Sequence, residues 1–153
     1  MSDDKRLIRI GQVSSINYDK NLVKVTYPDM DDAVTDDLPY FSFSDEYKMP
    51  EVGKSVLVVH LSTGSAGAVC MGRYWNEDNT PLKKGKDIWR KELATKYGKA
   101  YAQYDHQEKK YKFYLEGKAD IEIKDKIEIE CKDEITIKAK KITLITDQGT
   151  VEF

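Results

Sequence analysis

The chain has 153 residues, a formal net charge of −2, and 34% charged against 40% hydrophobic residues. That length suits one ordinary domain with an appendage, and charges that nearly cancel give no electrostatic footing for a nucleic-acid partner. No apolar run reaches the length of a membrane span, and the opening MSDDKRLIRI lacks the pattern of a secretory signal, so synthesis in the cytoplasm is expected.

Residues 1–80 are expected to form a compact all-β domain. A strand from Leu7 to Ile16 leads to a turn at Asn17–Asn21, and Leu22 to Tyr27 returns with Val23 and Val25 on one side. Pro28 and the acids Asp29, Asp31 and Asp32 end that strand, because proline cannot donate to a ladder. A long loop follows with Thr35, Leu38 and Pro39, then the aromatic group Tyr40, Phe41 and Phe43. Met49-Pro50-Glu51-Val52-Gly53 reads as a tight turn into Ser55–Leu61. That strand is apolar on both faces, which places it centrally in a small closed barrel. Ser62–Gly67 makes a turn of small residues, and Ala68 to Tyr74 returns as the last strand. Short strands with long loops point to a Greek-key barrel of the OB type.

Residues 81–118 connect this domain to the rest. Asp87–Lys91, Lys99–Tyr104 and Tyr111–Leu115 read as strands, with Asp105–Lys109 as a hairpin tip. A helix from Trp89 to Tyr104 competes, with Leu93, Tyr97, Tyr101 and Tyr104 on one stripe. Gly98 would interrupt that helix, which favours a β-rich neck.

Residues 119–153 carry the clearest pattern. The odd positions Ile121, Ile123, Ile127, Ile129, Cys131, Ile135, Ile137 and Ala139 alternate with charged residues or Thr. A period of two marks strands with one buried face. Lys124-Asp125-Lys126 and Lys132-Asp133-Glu134 form charged corners between them, and Gly149-Thr150 reads as the last corner. A ribbon with one apolar face and two open edges does not stand alone. No Asn-Gly or Asp-Gly turn supports a hairpin meander. The expectation is therefore one short strand and one corner per chain, wound with two other copies. The axis of this homotrimer would be lined by Ile121, Ile123, Ile127, Ile129, Cys131, Ile135, Ile137, Ile142, Leu144, Val151 and Phe153. An ordinary amphipathic sheet packed on the first domain is the alternative.

Candidate chemistry is sparse. Cys70 and Cys131 have no metal-ligand spacing and read as small thiols. His60 falls in a central strand and reads as a core histidine, and His106 falls at a hairpin tip. Two such histidines assemble no catalytic constellation. No enzyme activity, metal or cofactor is expected. The aromatic loop is rich in Asp36, Asp37, Asp45 and Glu46, the wrong sign for a nucleic-acid groove. Tyr40, Phe41, Phe43 and Tyr47, within loops from Met30 to Tyr47, are instead candidates for a protein–protein contact.

The blocks GQVSSINYDKNLVKVTYPD, TDDLPY, MPEVGKSVLVVHL and AVCMGRYWNEDNTP resemble the OB domain of central baseplate spike proteins. That family, baseplate assembly protein V, belongs to contractile-tailed phages and phage-like particles, and VgrG spikes are similar. Gly11, Val13, Asn21, Leu38-Pro39, Pro50-Glu51-Val52-Gly53, Gly72 and Tyr74 carry the likeness. The resemblance implies a homotrimer with an OB domain, a neck and a triple-stranded β-helix. It also implies docking on a tail hub protein and penetration of a target cell envelope on sheath contraction, with assembly into a virion or phage-tail-like particle. A separate tip-cap protein is a further possible partner. Many members hold iron through a His-x-His pair near the C-terminus, but no histidine follows His106 here. The alternative reading is an OB module that binds sugar or single-stranded nucleic acid and carries an oligomerisation segment.

Overall fold

Strand β2, Leu22–Tyr27, alternates half-buried Leu22, Lys24 and Thr26 with buried Val23, Val25 and Tyr27, the pleat of a sheet packed on one face. Its neighbours follow from that face in the computed structural model, which describes residues 7–61, 67–147 and 149–152, without the side chains of 151 and 152. Strand β1 (Ile8–Asn17) pairs antiparallel with β2, opposing Val13 to Val25, and a bulge before Ser15 shifts the register. Two two-residue strands, β3 (Ala33–Val34) and β4 (Leu38–Pro39), pair with opposite ends of β2. Between β2 and β3 lies a 3-10 turn at Pro28–Met30. Asp31 and Asp32 follow it with φ of 50° and 56°, a left-handed conformation that Asp tolerates better than most residues.

Strand β5 (Ser55–His60) lies between β1 and β6 (Ala68–Gly72), antiparallel to both. The sheet order is β3-β2-β1-β5-β6, with β4 also on β2. Inward residues of the four long strands, Val13, Val23, Val25, Val56, Val58 and Cys70, are buried to 2% exposure or less. Leu38, Met49 and Ala68 complete the core, and Ile16 and Tyr40 pack against it. After β4 the chain reaches the far side of the sheet. Tyr40 makes a parallel bridge to Cys70 of β6, and the Phe41 N–H donates to the Cys70 carbonyl at 2.9 Å. The Met49–Gly53 turn is tied to β1, with Gly53 N–H donating to the Val13 carbonyl at 2.8 Å.

The neck residues form strands, so the helix reading of 89–104 is set aside. β7 (Ile88–Glu92), β8 (Ala100–Asp105) and β9 (Lys110–Leu115) make an antiparallel sheet in that order. Gly98, with φ of 84°, sits in the turn between β7 and β8. This sheet belongs to the same compact unit as the first, residues 1–118. Lys48 Nζ donates to the Glu92 carbonyl at 2.6 Å, Lys91 pairs with Glu46 at 3.2 Å, and the Arg73 guanidinium stacks over Tyr97 at 4.6 Å.

Residues 119–153 form a separate unit. Its paired strands are β10 (Thr143–Thr146) and β11 (Gly149–Glu152), an antiparallel hairpin matching Thr146 to Gly149. Gly149 and Thr150 therefore lie inside a strand and make no corner. Among the described residues, 119–142 belong to no ladder within this chain. Bends fall at 124–125, 132–133 and 140, so the first two coincide with the charged corners.

Candidate functional site

Besides the outward Ile8 and Ile10 of β1 and the aromatic loop, two exposed apolar surfaces stand out among the described residues, one in each unit. In residues 119–147 the alternating isoleucines point into solvent. Exposure runs from 48% at Ile123 to 82% at Ile121, with Ile127, Ile129, Ile135 and Ile137 between. Cys131 is exposed, its thiol 3.3 Å from the Glu134 carbonyl. Ile142 is half-buried, and Leu144 is exposed in β10. Val151 lies opposite Leu144 in the hairpin, and Phe153 lies outside the described residues. The charged neighbours pair locally, Lys126 with Glu128, while Thr136 donates to Glu134 at 2.7 Å.

The second surface is one face of the β7–β9 sheet. Register places Trp89, Tyr104 and Tyr111 in one row, Lys91, Ala102 and Phe113 in the next, and Ala100 beside Leu115. Trp89, Tyr111 and Phe113 are 48%, 61% and 60% exposed. The opposite face is fully organised. Arg90 lies 3.5 Å from the Tyr101 ring centroid, pairs with Glu92 at 2.6 Å and donates to Gln103 at 3.1 Å. Tyr101 stacks on Tyr114 at 5.2 Å. The Lys112 ammonium, and then Arg90, hold the Tyr101 phenol below its ordinary pKa. This aromatic face escaped the sequence reading because Trp89 and Phe113 belong to strands whose register a sequence does not give.

The aromatic loop divides. Tyr40 packs on the core, where burial raises its phenol pKa to about 12, with the Cys70 thiol adding to the rise. Phe41 and Phe43 meet edge to face at 4.8 Å and remain exposed, as does Tyr47. Three of the four contact candidates thus lie on the surface, and the fourth is half structural.

His60 shares a 2.9 Å hydrogen bond with the Tyr27 hydroxyl. Partial burial lowers its pKa, helped by the nearby Arg9 charge. His106 packs against Tyr104 at 4.7 Å. Beside the neck, a cavity of about 470 Å³ is lined by Trp75, Tyr97, Lys48, Arg90 and Glu92 among others. Its charged groups are largely spent on the pairs already described. Among the described residues, no group of His, Cys, Asp and Glu gathers at metal-binding distances. No known protein family and no curated protein matches the chain.

Proposed function

We propose that the chain is a structural piercing component, the central spike at the tip of a contractile phage tail or phage-tail-like particle. It works as a homotrimer. Residues 119–153 of three copies wind into a triple-stranded β-helix, which follows an OB-type barrel and the neck sheet in the chain. One observation carries this reading: 119–142 exposes six isoleucines and pairs with no strand of its own chain among the described residues. Such a segment leaves apolar surface and backbone donors unsatisfied until another chain supplies both.

Two features support the details. Bends at 124, 132 and 140 are eight residues apart, a regular alternation of short strand and corner that suits winding about a shared axis. The segment Leu38–Phe41 hydrogen-bonds to β2 at one end and β6 at the other, joining the two sides of the sheet as a closed OB barrel requires.

The mechanism is mechanical. On sheath contraction the tube drives the spike into the target envelope, and axial force passes through interwound strands with no free edge to peel. Lys and Glu at the even positions keep the needle's outer face hydrated. The exposed Phe41, Phe43 and Tyr47 of the loop provide the contact with the tail hub, and no catalytic residue is required. Light scattering on the purified chain tests the assembly. A mass near three times 17.6 kDa is expected, and a stable monomer overturns the proposal. Loss of hub binding on deleting residues 41–47 is expected, and unchanged hub binding removes that assignment.

A further inference from the structure

Among the contacts described between the β7–β9 sheet and the rest of its unit, only Lys91 comes from the aromatic face; at its centre Ala100 and Ala102 are buried, while Trp89, Tyr111 and Phe113 around them are exposed. Its opposite face carries the Arg90, Glu92, Gln103 and Tyr101 network. Strand β9 is also an outer strand of its sheet, paired among the described residues with β8 alone. An apolar face beside an open edge is a surface awaiting another strand-bearing element.

The chain indicates which element that is. In β9 the outward aromatic positions are Tyr111, Phe113 and Leu115, all odd. The same odd parity is taken up again by Ala119, Ile121, Ile123, Ile127 and Ile129, with interruptions at Gly117 and Asp125. Between Lys110 and Lys132 every even residue except Tyr114 is charged. In sequence, the apolar positions of β9 and of the isoleucine segment thus share one parity. The face also carries little charge to desolvate. Lys91 is its one cation, and it is already paired with Glu46 at 3.2 Å, so an apolar partner strands no bare charge there.

We infer that the face formed by Trp89, Tyr111, Phe113 and Leu115 is a contact surface for a second copy of this chain. It extends into residues 1–118 the contact between copies proposed for the isoleucines. This inference rests on the assembly proposed above, and its test separates the two.

Trp75 and Trp89 are the only tryptophans, and both are about half exposed in the single chain, at 57% and 48%. The full chain is therefore prepared as Trp75→Phe, leaving Trp89 as the reporter, and as Trp89→Phe, leaving Trp75. Mass is measured by light scattering and fluorescence quenching by acrylamide on the same samples. The expected result is an assembled species in which Trp89 is quenched at least threefold less than Trp75. An assembled species with Trp89 quenched as readily as Trp75 overturns the inference and leaves the assembly standing. A monomer with exposed Trp89 overturns both. A monomer with shielded Trp89 means that the chain's own C-terminal segment covers the face, and the inference falls. Adding Phe113→Glu to the Trp75→Phe chain gives a second measurement. Quenching of Trp89 is expected to rise at least twofold, and no rise at unchanged mass counts against the inference.

Discussion

At Gly11 the inward face of β1 passes so close to β2 that a Cβ would come within 2.3 Å of Val25 Cγ1 and 2.8 Å of the Thr26 carbonyl oxygen. The backbone at Thr26 cannot retreat without disturbing the ladder, so Gly11→Ala is expected to cost about 1–3 kcal/mol. Urea denaturation at fixed protein concentration measures it, and an unchanged midpoint would show that β1 can shift. His60 sets a pH dependence whose sign follows from its lowered pKa. The unfolded chain takes up a proton near the ordinary value of 6.5, whereas the folded chain resists until lower pH. Stability is therefore full above pH about 6.5 and declines as pH falls below it. The decline ends once the folded form also titrates. His60→Gln, which keeps a partner for Tyr27, is expected to flatten this part of the profile. Identical pH profiles for the two proteins would assign the effect elsewhere.

At the scale of the element, Arg90 is the organiser of the neck sheet. Its side chain and that of Glu92 are 11% and 10% exposed and pair at 2.6 Å, while the guanidinium lies over the Tyr101 ring, 3.5 Å from its centroid. Arg90→Ala leaves the Glu92 carboxylate with the Gly98 N–H as its remaining described donor, and is expected to cost about 3 kcal/mol. Arg90→Lys should recover only part of this, because an ammonium has no planar face to stack. Thermal denaturation of both variants decides it, and full rescue by lysine would reduce the role of Arg90 to charge.

Strands with clean alternation were legible before any coordinates. Val23 and Val25 face inward as the pattern requires, and the neck strands lie within a residue of where Gly98 and the tip at 105–109 put them, Asp105 closing β8. β3 and β4 were not legible, since two residues carry no period and their pairing depends on where β2 lies. The last reversal was misplaced because Gly149 looked like a corner, yet pairing with Thr146 draws it into β11. The isoleucine alternation was plain, but a ladder needs a neighbour and the single chain supplies none in 119–142. The aromatic face needed three strands in register, since no one of them shows Trp89, Tyr104 and Tyr111 as a row.

For the whole molecule, the decisive substitutions are those that should be harmless in a single chain. Ile129 is 73% exposed, and replacing so exposed a side chain alters the stability of a lone chain by about 0.5 kcal/mol or less. In the proposed trimer Ile129→Asp would bring three carboxylates to one axis. Loss of the assembled mass with retained β-type circular dichroism is expected, while Glu130→Gln on the outer side should assemble normally. An Ile129→Asp chain that assembles as the parent does would move the axis away from the isoleucines.

The alternation of isoleucine with Lys and Glu also bears on time. In the proposed trimer, each chain would present a β-prone apolar ribbon until it met two others, an encounter that slows steeply with dilution. Misassembly into open-ended stacks competes during that interval. Like-charged side chains at every second position, such as Glu128 and Glu130, repel in-register stacking of identical segments. In the proposed needle, the residues that wet the outside would thus act earlier as a delay on the wrong polymer, giving a closed assembly the chance to form first.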